Sequence, residues 1–176
     1  MDLANEILSN YGEGIGSSEH ASNELTLSSL KQKIEDLYLP QAKSKNIDLS
    51  ISVAQQKHQV TFPKHKLIQI FGNLITNAIK FTPENGSVDV KLDITMRENS
   101  TLEAEINDSG VGMSEEMVDN ILSDSAKSTA GTKNERGFGF GFQLARHLVD
   151  SLDGSLRIES KQNKGTKILL SLPIVP

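Results

Sequence analysis

Residues 71–83 read FGNLITNAIKFTP and hold two asparagines four positions apart, with a lysine three positions after the second. Apolar residues recur every three or four positions here, which predicts a helix from about residue 63 or 64 to residue 81: Leu67, Ile70, Phe71, Leu74, Ile75 and Ala78. On such a helix Asn73, Asn77 and Lys80 share one face. Amide oxygens suit Mg²⁺, and a lysine ammonium suits phosphate oxygens. The same face also fits the solvent side of an ordinary amphipathic helix, so both interpretations stay open for this stretch alone.

A second stretch, DSGVGM at residues 108–113, follows a predicted strand and begins with a carboxylate. Gly110 and Gly112 allow the backbone to turn sharply and to approach a flat ligand without an intervening side chain. The carboxylate of Asp108 can accept a hydrogen bond from an exocyclic amine such as that of adenine. Asp-Ser-Gly is also a common turn sequence, and taken alone this stretch favours a turn.

A third stretch, RGFGFGF at residues 136–142, places a glycine at every second position just before a predicted helix. Backbone N–H groups of Gly137, Gly139 and Gly141 at a helix start would form an anion site. Alternating glycine and phenylalanine also fits a flexible hinge with apolar anchors. The stretch matches neither the phosphate loop GxxxxGK[ST] nor the dinucleotide pattern GxGxxG, so neither of those classes is supported.

The periodicity of the rest of the chain predicts an α+β fold, a two-layer sandwich in which three helices cover one face of a mixed β-sheet. Pro40 is expected to kink or shorten the end of the first helix, and the polar QQKH turn at 55–58 is expected to join the first two strands. The irregular stretch 124–141 is long for a compact domain and is expected to be functional. The predicted helices span about 28–43, 64–81 and 142–152, with a short one near 114–123, and the strands about 47–53, 60–62, 88–96, 102–106, 156–159 and 166–172.

Composition excludes several classes of protein. The chain has 176 residues, with 18 Lys and Arg against 23 Asp and Glu, and no basic block, so nucleic acid is not an expected partner. It has no cysteine, which excludes disulfides and thiolate metal sites. No signal peptide and no apolar run of about 20 residues is evident, so we expect a cytoplasmic domain without direct membrane contact. Residues 1–24 are predicted to be the end of a longer helix and a linker, and residues 25–176 the folded domain.

Taken together and in this order, NLITNAIKFTP, DSGVGM, RGFGFGFQLARHLVDSLDGSLRIES and NKGTKILLSLP resemble the ATP-binding domain of sensor histidine kinases. That domain belongs to a wider family, known as GHKL, which includes gyrase, the heat-shock chaperone ATPase and mismatch-repair ATPases. The resemblance covers roughly residues 25–173, and it implies that the helix end and linker at residues 1–24 belong to a dimerisation helix. It implies the Bergerat ATP-binding fold, with ATP and Mg²⁺ as cofactors.

The resemblance also implies a role for each matching position. Asn77 would be the Mg²⁺ ligand, and Asn73 would lie beside the metal and the phosphates. Lys80 would contact phosphate, Phe81 would lie against the adenine, and Asp108 would bind the adenine amino group. The remaining nucleotide contacts would come from Gly110, Gly112, Met113, Gly137, Gly139, Gly141 and, through water, Thr166, with Lys133 and Arg136 of the lid at 124–136 as candidates for the γ-phosphate.

The chain departs from the family pattern at several positions. Phe138, Phe140 and Phe142 stand where the family usually has a small or polar residue or leucine. The family's phosphoacceptor histidine motif is absent, and His20, His58, His65 and His147 are each expected to be surface or packing residues. ATP-hydrolysing members carry a glutamate base where this chain has Asn73, and an amide cannot take a proton from water, so rapid hydrolysis is not expected.

The function implied is that of the catalytic and ATP-binding domain of a two-component sensor histidine kinase. Such a domain donates the ATP γ-phosphoryl group to a histidine on a separate dimerisation domain of the parent kinase, from which an aspartate of a response regulator receiver domain takes it. Two alternatives stay open. One is a degenerate domain that acts as a protein-interaction or regulatory module, and the other is a stand-alone protein-serine kinase of the anti-sigma type.

Overall fold

A computed structural model of the chain describes residues 24–54, 59–61, 64–95, 100–123 and 141–174. Within these ranges the chain forms four helices and seven strands. The helices are α1 (Leu27–Ser44), α2 (Lys64–Phe81), α3 (Glu115–Leu122) and α4 (Gly141–Asp150). The strands are β1 (Glu24–Thr26), β2 (Asp48–Val53), β3 (Gln59–Thr61), β4 (Ser87–Thr95), β5 (Thr101–Asp108), β6 (Ser155–Ser160) and β7 (Thr166–Pro173).

Five strands form the main sheet, in the order β2, β4, β5, β7, β6. β2 runs parallel to β4, and the other neighbours are antiparallel, so the sheet is mixed. Along β4 every second residue is buried, because successive side chains of a strand point to opposite faces. The register of the two central pairs places Asp108 at the end of β5, opposite Val88 on one side and Thr166 on the other.

Helices α1, α2 and α4 contribute to a single apolar core with the inward face of the sheet. α2 is the central element, and its fully buried residues include Leu67, Ile70, Phe71, Leu74 and Ile75. The fold is therefore α+β, with a mixed sheet and helices on its buried face, which confirms the predicted class. In the part of the chain that the structure describes, no helix is both long and apolar enough to cross a bilayer.

The start of the domain differs from the sequence-based expectation. The two strands predicted on either side of residues 55–58 do not pair with each other. β2 pairs with β4 in the main sheet, whereas β3 pairs with β1 in a separate two-stranded sheet. β1 was not expected, because three residues are too short for a periodicity to show. The assignment of residues 1–24 to a dimerisation helix and linker stays a prediction, since residues 1–23 lie outside the described ranges.

Pro40 does not end α1, which continues to Ser44. A proline inside a helix removes one backbone hydrogen bond and costs about 3 kcal/mol. The last turn of α1, after Pro40, packs against the domain through Ala42, which is fully buried. The backbone N–H of Lys45 caps this turn by donating to the carbonyls of Ala42 and Lys43. Burial of this turn offsets the missing hydrogen bond.

Candidate functional site

The polar face of α2 carries the first set of predicted site residues. Asn73, Asn77 and Lys80 are half-buried, whereas the opposite face of the helix is fully buried in the core. The ammonium of Lys80 lies 4.7 Å from the centre of the Phe81 ring, a cation–π distance. A groove of about 360 Å³ runs along this face, lined by Tyr38, Ile68, Gln69, Gly72, Asn73, Thr76 and Asn77.

The side chain of Asn73 has a fixed orientation. Its Nδ2 donates to the carbonyl oxygen of Gln69 at 2.8 Å, one turn earlier on the same helix. Its Oδ1 faces the first residue of α4, because a Cβ added to Gly141 would lie 2.9 Å from this oxygen and 3.8 Å from Nδ2 of Asn77. A side chain at this position would require the Asn73 amide to shift, so glycine lets α4 begin against the two amides without moving them. The structure therefore brings the third predicted stretch, at Gly141, onto the first.

Asp108 stands at the end of β5 and is largely buried. Its Oδ1 accepts two backbone hydrogen bonds, from the N–H of Gly110 at 2.8 Å and from the N–H of Thr166 at 3.2 Å. Burial raises the pKa of the Asp108 carboxyl, and the two backbone hydrogen bonds offset only part of that effect. Both hydrogen bonds seen in the described residues go to Oδ1, so Oδ2 is the oxygen placed to meet a ligand.

The loop after Asp108 is pressed against the end of α2. The N–H of Val111 donates to the carbonyl oxygen of Phe81 at 3.1 Å, and a Cβ on Gly110 would lie 2.6 Å from the same oxygen. Gly112 has a φ of 61°, in the left-handed region, and any Cβ on it would overlap the carbonyl oxygen of Lys161. The two glycines thus allow a contact between the second predicted stretch and the first.

The turn between β6 and β7 closes the other side of this loop. The N–H of Asn163 donates to the carbonyl oxygen of Val111 at 2.6 Å. The hydroxyl of Ser160 accepts the N–H of Met113 at 2.9 Å and lies 2.9 Å from the hydroxyl of Thr166. Met113 and Thr166, both predicted as nucleotide contacts, are therefore linked through one side chain that the sequence did not single out.

The structure brings together nine of the predicted site residues: Asn73, Asn77, Lys80, Phe81, Asp108, Gly110, Gly112, Met113 and Thr166, with Gly141 facing the asparagines. Lys133, Arg136, Gly137 and Gly139 lie outside the described residues, and their roles stay predictions. Of the three unusual phenylalanines, Phe142 is described, and it packs against the core. His65 and His147 are exposed, as expected for surface residues, while His20 and His58 are not described.

Two residues of this region were missed by sequence reasoning. Ser160 is one, and Lys45 is the other, with a side chain that is only 5% exposed. Lysine is almost never buried without partners, so the residue type alone gives no reason to expect burial at this position. The contacts of Lys45 are with residues 34 and 35 positions away, and no local pattern reports such contacts.

The polar groups of this cleft suit a small anionic ligand that carries an amino group on a ring. A buried carboxylate with one oxygen facing outward lies at one end, and two amides and an ammonium lie along the adjoining helix face. Within the described ranges, no group of three His, Cys, Asp or Glu residues is placed to hold a metal ion. The amide groups of Asn73 and Asn77 on α2 carry oxygens of the hard type that divalent cations such as Mg²⁺ prefer.

Comparison with known proteins agrees with this description. The profile of the family described as "Histidine kinase-, DNA gyrase B-, and HSP90-like ATPase" matches residues 63–176. The chain belongs to this family. The matched region includes α2, the loop after Asp108 and the start of α4, which are the three elements that form the cleft.

Curated relatives are sensor kinases. The chain is 32% identical over 146 residues to the autoinducer 2 sensor kinase/phosphatase LuxQ of Vibrio parahaemolyticus, covering 80% of this chain and 17% of LuxQ. It is 30% identical over 151 residues to the adaptive-response sensory kinase SasA of a Synechococcus strain, covering 86% of this chain and 39% of SasA. The chain therefore spans less than half of the length of either relative.

Solved structures share the fold. The catalytic domain of histidine kinase ThkA aligns with a TM-score of 0.72 and 23% identity, covering 86% of this chain and 94% of that domain. ThkA in complex with the response regulator protein TrrA aligns with a TM-score of 0.68 and 21% identity, covering 98% of this chain and 46% of that chain. At these sequence identities, the likeness to the two solved structures establishes the fold alone.

Proposed function

We propose that this chain is the catalytic domain of a two-component sensor histidine kinase, and that it donates the γ-phosphoryl group of ATP to a histidine on a separate dimerisation domain. The observation that carries the proposal is the convergence of three distant stretches on one cleft. The Asp108 loop is hydrogen-bonded to the last carbonyl of α2, and Gly141 lies against Asn73 and Asn77 on the same helix. The curated relatives, which are sensor kinases, support the same class of reaction.

The residues of the cleft divide between the two ends of the nucleotide. Oδ2 of Asp108 would accept a hydrogen bond from the adenine amino group, next to Met113 and Thr166. Lys80 would neutralise charge on the phosphates, and Phe81 would lie against the adenine. Asn73 and Asn77 present amide oxygens from one helix face, and Mg²⁺ is usually held by one or two protein oxygens together with substrate phosphates, so this donor set fits it.

Mg²⁺ bound there would neutralise charge on the phosphates and orient them. The protein's own contribution is positioning, because phosphoryl transfer needs little covalent chemistry from the enzyme. An imidazole nitrogen of the acceptor histidine forms a bond to the γ-phosphorus, and the bond from that phosphorus to the bridging oxygen of ADP breaks. The proton on the attacking imidazole is then lost to solvent. An aspartate of a response regulator receiver domain takes the phosphoryl group in turn, and the cytoplasm is the compartment in which we place the reaction.

Titration with Mg²⁺ and the non-hydrolysable ATP analogue AMPPNP tests the nucleotide site. Calorimetry on the full chain should show saturable binding that weakens when Mg²⁺ is removed. Asn77→Ala should abolish the Mg²⁺-dependent part of the affinity, because it removes an amide ligand. Asn120→Ala is a matched control, since Asn120 is an exposed helical asparagine on α3, outside the residues assigned to the cleft. Equal binding by the two variants would contradict the assignment of Asn77.

Transfer itself is tested with the dimerisation domain of the parent kinase as acceptor and radiolabelled ATP as donor. Label should appear on the acceptor histidine with the unaltered chain and should be lost with Asn77→Ala and with Asp108→Asn. Undiminished transfer by both variants would overturn the proposed function. A folded chain that binds no Mg·AMPPNP at millimolar concentration would instead favour the regulatory module, for which the substitutions at Phe138 and Phe140 are the supporting observation.

A further inference from the structure

The C-terminal end of α2 is fully capped, and each cap comes from a different part of the domain. The last four carbonyls of a helix have no partner within the helix and need donors from elsewhere. The carbonyl of Ala78 accepts the backbone N–H of Thr82 at 3.0 Å and its hydroxyl at 2.7 Å. The carbonyl of Phe81 accepts the N–H of Val111 at 3.1 Å.

The two carbonyls between them, those of Ile79 and Lys80, are capped by the side chain of Lys45, the residue that follows α1. The ammonium of Lys45 donates to the carbonyl oxygen of Ile79 at 3.0 Å and to that of Lys80 at 2.7 Å. The Lys45 side chain is only 5% exposed, and it is the one charged side chain buried in the described residues. A buried ammonium requires hydrogen-bonding partners, and the negative end of a helix dipole is a favourable place for it.

These contacts place Lys45 directly behind the cleft. Lys45 holds the backbone of Ile79 and Lys80, and Lys80 is the residue to which we assign the phosphate contact. The ammonium of Lys45 fixes the last turn of α2 from the core side, while Val111 fixes it from the side of the Asp108 loop. Without Lys45, the carbonyls of Ile79 and Lys80 lose this donor, and the last turn of α2 is held by Thr82 and Val111 alone among the donors named above.

We propose that Lys45 is a positioning residue for nucleotide binding, and that it acts by holding the backbone of Lys80. The proposal rests on the proposed function, since it assigns Lys45 to the geometry of the same cleft. It assigns no contact between Lys45 and the nucleotide itself. Its effect on affinity should therefore depend on the presence of the Lys80 side chain, which a general loss of stability would not.

The test is a double-mutant cycle on the full chain, with Mg·AMPPNP affinity measured by calorimetry at a temperature where circular dichroism shows each variant folded. Lys45→Met should weaken binding by about tenfold or more, because small displacements of a positioned group are costly. In a Lys80→Met background the same change should have a much smaller effect. Lys43→Met is the matched control, because Lys43 is exposed on the last turn of the same helix, and it should leave affinity unchanged.

If Lys45→Met does not fold, Lys45→Gln provides a milder variant, whose shorter neutral side chain tolerates water but does not reach both carbonyls. Wild-type affinity in either folded variant would overturn the inference and leave the proposed function standing. An equal loss in the two Lys80 backgrounds would also overturn it, since Lys45 would then not act through Lys80. Absence of nucleotide binding by the unaltered chain would overturn the proposed function and this inference with it.

Discussion

Replacing Asp108 with asparagine should separate nucleotide binding from folding, because the two oxygens of this carboxylate have different partners. Oδ1 accepts the backbone N–H groups of Gly110 and Thr166 at 2.8 and 3.2 Å, and an asparagine Oδ1 accepts the same two hydrogen bonds. At the Oδ2 position the substitution exchanges an acceptor for an NH₂ donor, which would face the donor amino group of adenine.

The expected loss of affinity follows from that one contact. A hydrogen bond to a charged group contributes about 1.5–3 kcal/mol, so its removal weakens binding by roughly 10- to 150-fold. Calorimetric titration of Asp108→Asn with Mg·AMPPNP measures it. Asp119→Asn is the control, because Asp119 is exposed on α3 and should leave binding unchanged. Binding by Asp108→Asn within about twofold of the unaltered chain would refute the assignment of Asp108 to adenine.

The substitution Asp108→Asn should raise the stability of the folded chain, although it weakens nucleotide binding. Burial raises the pKa of Asp108 in the folded chain, so the folded state binds its proton more tightly than the unfolded state. Wild-type stability therefore falls as the pH rises from the ordinary Asp value of about 3.9 through the raised folded value. Asparagine does not ionise, so the variant should be at least as stable as wild type at pH 7, with the difference vanishing below about pH 3.9.

Urea unfolding of both chains without nucleotide, at pH 7 and at pH 3.5, measures this difference. The free energy of unfolding of Asp108→Asn is compared with that of wild type at each pH. If the variant loses stability relative to wild type on going from pH 3.5 to pH 7, burial does not penalise the Asp108 carboxylate. The same protonation should weaken nucleotide binding, because an uncharged carboxyl forms the weaker hydrogen bond. Affinity of the unaltered chain should thus fall as the pH drops through the folded pKa of Asp108.

Three further substitutions test the surroundings of the cleft. Gly112→Ala should lower the free energy of unfolding by at least about 1–2 kcal/mol, because it combines a positive φ with an overlap on the Lys161 carbonyl, and an unchanged melting temperature would contradict the tight loop. Ser160→Ala should cost about 1–3 kcal/mol in urea unfolding, since the buried N–H of Met113 loses its acceptor, whereas a change under about 0.5 kcal/mol would mean that water replaces it. Glu105→Gln tests the outer face of the sheet. Burial alone would raise the pKa of Glu105, but its two lysine partners hold that pKa below its usual range. Above about pH 4.3 the variant should therefore be less stable than wild type, by under about 1 kcal/mol. In strong acid the two chains should be equally stable. A loss that persists in acid or in high salt would contradict the electrostatic explanation.

Elements of this fold could be predicted from the sequence where a local pattern of side chains determines the structure. The apolar repeat of α2 predicts a helix ending at Phe81, and the structure ends it there. A serine directly before a helix is a local capping signal, and the hydroxyl of Ser114 accepts the N–H of Met117 in the first turn of α3. Such signals act within a few residues, and a sequence displays them directly.

Contacts between distant residues were not predictable in the same way. The pairing of β1 with β3 joins segments of three residues each, which are too short to show alternation. No local pattern distinguishes Lys45 from a surface lysine. Its ammonium reaches the end of α2 only in the folded chain. The candidate site was predictable because its chemistry is concentrated in three short stretches, whereas the residues that hold those stretches together are dispersed.

The orientation of Asn73 explains why a cleft of this kind should retain ATP and await an acceptor. Its Nδ2 is committed to the Gln69 carbonyl, so the amide oxygen is the atom that faces Gly141 and the phosphate end of the cleft. An amide oxygen accepts a hydrogen bond from water but has no basicity with which to deprotonate it. A water molecule beside the γ-phosphate would thus be bound without being activated. An imidazole needs no such activation, because its unprotonated nitrogen already carries the attacking lone pair. Under the proposed function, transfer would therefore depend on the approach of an acceptor histidine and not on the activation of water.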